Sequence, residues 1–234
     1  MGNGLPYNSD KMARRSSVST RQGSYINDLT RHVLAIPYKE AKAAILANHY
    51  LHRMGSCSWA YGLYDEGRLA GVVTFGSPVS STLCRGVCGP DEAPNLTELT
   101  RLWIEDGQPW GTASWFVARA MRQVPKSVIV AFADPSVGHH GGVYQALNFV
   151  YTGLGPPRKR WFDPAHPNAH THRSATSRAA NQTLRDEGRL LYIPAVQKHR
   201  YVFFQGRRKR TLREKLRYPV LAYPKPDLIT VQSA

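Results

Sequence analysis

Asp134 stands where an apolar run stops. Val128–Ala133 reads VIVAFA, and Asp134-Pro135 breaks it. A carboxylate at the end of a buried strand, open to a loop, can take up a proton or bind a metal. An aspartate before proline also makes an ordinary turn or cap, the commoner role when nothing else points to chemistry. Tyr144 follows in the next helical pattern. Its hydroxyl can donate a hydrogen bond or a proton, or the ring can pack in a core. Between the two lies Gly138-His139-His140-Gly141-Gly142. Glycines ahead of a helix leave N–H groups free at its positive end, which suits an anion.

His49 lies four residues after Ile45, on one helix face. A lone histidine there is usually a satisfied core residue. Tyr50 and His52 flank it, which opens a catalytic or ligand role. His49, Tyr50 and Asp134 together offer nitrogen and oxygen donors of a kind that iron accepts. Arg101 interrupts an apolar strand, a costly placement unless its charge is met. It is expected to hold a donor phosphate or carboxylate. Glu98 is three residues away, and strict alternation puts it on the opposite face. Ser114 opens a helix, as its cap or as a donor contact. His166, His170 and His172 follow Asp163 among prolines and read as loop or DNA contacts rather than a metal site. Lys198, Arg200, Arg207, Arg208, Lys209, Arg210 and Arg213 are interleaved with Tyr201, Phe203 and Phe204. Cations meet phosphates and aromatic rings stack on bases, although the same alternation also builds a core.

These residues need elements to carry them. Residues 32–36 read as a strand, and Pro37 suits the start of a helix with Ala41, Ala44 and Ile45 on its buried stripe. Residues 58–64 and 69–75 form a hairpin across Asp65-Glu66-Gly67-Arg68. Residues 80–94 read as a loop, 96–104 as a strand and 113–124 as a helix. The helix after Gly142 carries Val143, Ala146, Leu147 and Val150. Residues 154–189 read as loops over the site or against a partner, 192–204 as strand, and 218–226 as an extended ending. Residues 1–27 are expected to be a flexible basic arm, 28–226 one catalytic domain and 227–234 a tail.

The charge narrows the partners. The chain has 31 Lys and Arg against 16 Asp and Glu. Residues 1–155 hold 14 basic and 11 acidic residues; residues 156–234 hold 17 and 5. A basic third of a chain points to a polyanion such as nucleic acid. Helix-turn-helix and zinc-finger patterns are missing, which weighs against a purely DNA-binding protein. Three cysteines, Cys57, Cys84 and Cys88, suit a reducing cytoplasm rather than a disulfide framework. No run of 18 apolar residues spans a membrane.

The order helix, hairpin, strand, helix, strand, helix, strand resembles the GNAT acyltransferase fold. That likeness implies an α/β protein with a mixed central sheet flanked by helices, here with a basic C-terminal extension. The glycine-rich loop that holds the coenzyme A pyrophosphate in that fold is missing from residues 102–114. A narrower resemblance rests on Asn48-His49-Tyr50-Leu51-His52, Glu98-Leu99-Thr100-Arg101-Leu102-Trp103, Ala113-Ser114-Trp115-Phe116, Ala133-Asp134, Gly141-Gly142-Val143-Tyr144-Gln145-Ala146, Lys198-His199-Arg200-Tyr201-Val202 and Tyr223-Pro224-Lys225. In order and spacing they resemble the Mom family of bacteriophage DNA-modification proteins, from about residue 33 to 226. The resemblance implies conversion of adenine in double-stranded DNA to N6-carbamoylmethyladenine, protection from host restriction, and bound iron. It favours catalytic roles for Asp134, His49 and Tyr50; the catalytic role expected of Tyr144 and the donor binding expected of Arg101 and Ser114 rest on their own positions in the sequence. Acetyl-coenzyme A and glycyl-tRNA are the candidate donors, the second making tRNA a partner. An ordinary GNAT acyltransferase for a small molecule or protein is the competing reading.

Overall fold

Val128–Ala133 is β5, and its two faces feed two different cores. Val128 and Val130 pack with Val87, Leu96, Val202 and Leu212 on one side of the sheet. Ile129 and Ala131 pack on the other with Phe75, Phe116, Val117 and Tyr201. A strand buried on both faces reads as a continuous apolar run rather than an alternation. The computed structural model describes residues 30–78, 80–162, 164–165 and 179–225. The expected arm, Asp163, the three histidines at 166, 170 and 172, and the tail lie outside the described residues.

Seven strands form the main sheet: β1 (Arg31–Ala35), β2 (Trp59–Asp65), β3 (Arg68–Gly76), β4 (Leu96–Ile104), β5, β6 (Val150–Leu154) and β9 (His199–Phe204). Their order is β1-β2-β3-β4-β5-β9-β6. All pairs are antiparallel except β4 with β5. Helix α1 (Tyr38–Asn48) lays Ala41 and Ile45 on Ile36, Ala60 and Val72. Helix α3 (Thr112–Gln123) buries Phe116, Val117, Ala120 and Met121. The architecture is α/β, with helices on a mixed sheet. The succession of α1, the β2–β3 hairpin, β4, α3, β5 and α4 (Gly142–Ala146) is the expected one, with α2 (Ser81–Cys88) inserted before β4. Among the described residues no helix is long and apolar enough to cross a membrane.

Two features of β4 open a space. It shares only four residue pairs with β5, from Leu96↔Val128 to Leu99↔Ala131. Beyond them the parallel strands part, so their facing edges no longer pair. The register with β3 also slips, from Phe75↔Leu99 to Thr74↔Arg101. Thr100 is the extra residue of a bulge, a device that re-aims side chains.

Four expectations are corrected. Residues 80–94 are not a loop: they hold α2 (Ser81–Cys88) and a 3-10 turn at Pro90–Asn95. The Ser80 hydroxyl caps α2 by accepting from the Leu83 N–H at 3.2 Å, and Val87 and Cys88 are buried. The helix after Gly141 is only α4 (Gly142–Ala146), and Val150 starts β6 instead. Asn148, with φ of 59°, makes the break. Residues 154–189 carry β7 (Arg158–Phe162) and α5 (Ala179–Asp186). The 192–204 stretch is two strands: β8 (Leu191–Ala195), which pairs with β7 in a separate ribbon, and β9.

Candidate active site

A cavity of about 1390 Å³ fills the gap between β4 and β5. Its walls come from the end of α1, the β4 bulge, the histidine–glycine loop, and the approach from the β7–β8 ribbon to β9. It gathers His49, Tyr50, Arg101, Asp134's partner Lys198, and Tyr144.

His49 is the C-cap of α1 and is buried. Its Nδ1 accepts from the Leu51 N–H at 3.1 Å, so the neutral ring carries its proton on Nε2. Burial first, then the charges of Arg101 and His139, push it down to about 4. At neutral pH it is an uncharged imidazole. Tyr50 stacks on it, centroids 4.5 Å apart, and meets His139 edge-on at 5.6 Å. The three rings make an aromatic wall. The Tyr50 phenol is held up by burial and by the charge of Asp134.

The bulge at Thr100 overturns the expected separation of Glu98 and Arg101. Glu98 pairs with Gly76 and Arg101 with Thr74, positions two apart on one strand. Residues two apart share a face, and both side chains line the cavity. Burial pushes the Glu98 carboxyl up to about 7, against the pull of Arg101, Arg158 and Lys198. Glu98 is a candidate site residue that strict alternation places on the wrong face, and the polar pair Thr100-Arg101 inside an apolar strand is the signal of the bulge. Arg53 is a second missed residue on the same wall.

Asp134 behaves differently. It caps the 3-10 turn Pro135–Val137, its Oδ1 accepting from the Ser136 N–H at 3.1 Å. Its Oδ2 meets Lys198 Nζ at 2.8 Å. Burial raises its pKa, but Lys198 and Ser136 outweigh that and hold it below the ordinary value. An already ionised, fully engaged carboxylate is a weak proton acceptor. Lys198, expected as a nucleic-acid contact, is thus part of the cavity wall.

The loop between Asp134 and Tyr144 is clamped from below. The Tyr201 hydroxyl and the Gln145 side-chain N–H both donate to the His140 carbonyl. Gly141 sits at φ of 83°, and a Cβ there would lie 2.5 Å from the Tyr201 ring, so only glycine fits. The anion site expected at the following helix start is not built: a five-residue α4 sums too few peptide dipoles. Tyr144 is buried, packing 5.4 Å from both Phe149 and Tyr201, and burial raises its phenol strongly. It is a neutral core tyrosine bordering the cavity.

Other expected residues lie elsewhere. Ser114 is in the first turn of α3, whose N-cap is Gly111; its hydroxyl donates to the Gly111 carbonyl at 2.9 Å, and it does not line the cavity. Arg200 is 6% exposed, bound to Thr152 and stacked 3.5 Å over the Tyr218 ring. It is a structural residue, not a phosphate contact. Tyr201 and Phe204 are core, and Phe203 packs against it. In α6 (Lys209–Glu214) and its flanks, Arg208 and Lys215 bind buried Glu92, and Arg210 pairs with Glu214. Arg207, Lys209 and Arg213 are exposed.

The donor set does not fit iron. Asp134 is spent on Lys198 and Ser136, and His49 Nδ1 on a backbone N–H. Among the described residues no three His, Cys, Asp or Glu side chains gather as a metal site. In the turn before α3 the side chains are committed within the protein: Gln108 and Thr112 bind Arg31, and Glu105 pairs with Arg68.

The profile of the Mom protein family matches residues 30–225. The methylcarbamoylase mom of Escherichia phage Mu is 29% identical over 119 residues, 48% of this chain. The match spans about half, 49%, of that relative's length. Among solved structures, the IAA acetyltransferase of Bacillus cereus is 15% identical, covering 75% of this chain and 99% of its own, with a TM-score of 0.42. A Bacillus subtilis acetyltransferase in complex with CoA is 13% identical, covering 75% and 98%, with a TM-score of 0.41.

Proposed function

This chain belongs to the Mom protein family, and from that premise we propose that it is a transferase that modifies adenine in phage DNA, giving N6-carbamoylmethyladenine and blocking host restriction. The observation that carries the reading is Glu98, a cavity carboxylate poised at about 7. The adenine amine is a poor nucleophile because its lone pair is delocalised into the ring. A base that takes its proton as the bond forms is what the reaction needs. Glu98 replaces Asp134 in that role. Asp134 instead holds Lys198, which lines the cavity, in an ion pair.

The amine lies inside the duplex, so the nucleotide must swing out. The wall of His49, Tyr50 and His139 offers flat faces for the extruded base. The volume exceeds the ~300–1,000 Å³ common for small-molecule pockets, which leaves room for a donor beside the base. Arg158, at the start of β7, lines the cavity and supplies positive charge toward the flanking backbone.

The test is mass spectrometry of nucleosides from DNA of cells expressing the protein. Modified adenosine is expected with the wild type and not with Glu98→Gln. Its absence from wild-type cultures supplied with all amino acids would sink the reading.

A further inference from the structure

The α1–β2 connection carries a guanidinium with one buried donor that the protein does not satisfy. Arg53 lines the cavity, and its Nη1 is buried with no hydrogen-bond partner among the described residues. A second guanidinium is fixed against the same segment. Arg101 Nε donates to the Arg53 carbonyl at 2.7 Å, and its Nη1 to the Thr100 carbonyl at 2.5 Å. The backbone is fitted around it: a Cβ on Gly55 would lie 3.0 Å from Thr100 Cβ and 3.3 Å from Arg101 Nη1. The Thr100 hydroxyl ties the same segment down by donating to the Ser56 carbonyl at 2.9 Å. Burial and then the charge of Arg53 both lower the Arg101 pKa. Like charges held together at a cavity wall, with a donor unpaired, call for an anion from outside. Glu98 acts on Arg101 only through space and does not fill the place.

Guanidinium forks match phosphate oxygens in pairs. We propose that Arg53 and Arg101 form a seat for one phosphate group of a ligand in this cavity. The seat stands on the hydrogen-bond geometry; only the ligand's identity rests on the DNA-modification reading. Two sources carry that chemistry, the phosphate of the extruded nucleotide and a phosphate of the donor.

Calorimetry on the full chain compares deoxyadenosine 5′-monophosphate with deoxyadenosine, and 4′-phosphopantetheine with pantetheine, pairs that each differ by one phosphate group. In at least one pair the phosphorylated member is expected to bind about tenfold or more tighter, the gain of one charge-assisted hydrogen bond. Arg53→Ala removes that gap. Arg53→Lys, which keeps the charge but not the fork, restores part of it, and thermal melting of both variants checks the fold. A gap in the first pair assigns the seat to the nucleotide, and in the second to the donor. No gap in either pair, or a gap unchanged in both variants, overturns the proposal. An Arg53-dependent gap in a protein that leaves DNA unmodified would sink the modification reading and leave the seat standing.

Discussion

Glu98 shows how far one residue's environment can move its chemistry. Its ordinary value is 4.5, and burial raises it to about 7. Below that value the folded protein holds a neutral acid; above it, a base. Transfer to the adenine amine should therefore rise about tenfold per pH unit below pH 7 and level off above it. The same shift works against stability. Between pH 4.5 and 7 the folded state binds the extra proton, so stability falls as pH rises through that window. Glu98→Gln should flatten the rising limb, lower the rate by about 10²–10⁴, and hold its melting temperature at pH 8. A rate profile unchanged by the substitution would move the base elsewhere. Asp134 has the opposite shift and stays ionised across this range. Sequence could not separate the two. Asp134 is visible because it ends an apolar run. Glu98 hides because counting alternation across an unseen bulge assigns it to the wrong face.

At the scale of elements, local pattern was enough where burial dictates it. Strand β5, the β2–β3 hairpin and α3 follow from apolar spacing and turn residues. The α2 helix does not, because Ser81-Thr82-Leu83-Cys84-Arg85-Gly86 has weak helix propensity and forms by packing Val87 and Cys88 inward. The basic segment at 198–217 was legible only as composition. Strand β9 divides it. Its start pairs with Ala133 at the cavity end of β5, and Phe204 pairs with Val128 at the other. A six-residue strand separates those ends by roughly 20 Å. So α6 lies away from the cavity, while the free-standing β7–β8 ribbon reaches its rim. Replacing Arg158, Lys159 and Arg160 by alanine should weaken DNA binding and cut the salt slope by about 0.9 for each phosphate no longer neutralised. Replacing Arg207, Arg208, Lys209 and Arg210 should do less to the slope and should loosen the hold on Glu92. A larger slope change from the second set, measured by binding titrations across salt, would place the DNA track on α6 instead.

The whole molecule joins a mixed sheet with one parallel pair to a strongly cationic chain, and the proposed donor must make sense of both. An acyl transfer puts a carbonyl on N6, yet the proposed product carries CH2 there. Glycyl transfer resolves the mismatch. The first adduct is N6–CO–CH2–NH2. Its amine attacks adenine C6 through a five-membered ring, and the original N6 leaves C6 as the amide nitrogen. The product is the isomer C6–NH–CH2–CO–NH2, with no oxidant or reductant consumed. This proposed route needs an activated glycine, and glycyl-tRNA would supply one on a polyanion that suits a net charge of +15. It also needs no pyrophosphate seat before α3, where Arg31 already takes Gln108 and Thr112. Acetyl-coenzyme A with a separate nitrogen source is the rival. The two differ in where atoms end. With glycine labelled at nitrogen and both carbons, the glycyl route places the labelled nitrogen on C6 and the labelled carbons in the side chain. Fragmentation of the modified nucleoside reads those positions directly. Labelled acetate carbon in the side chain, with the glycine label missing, would defeat the glycyl route and return the donor to coenzyme A.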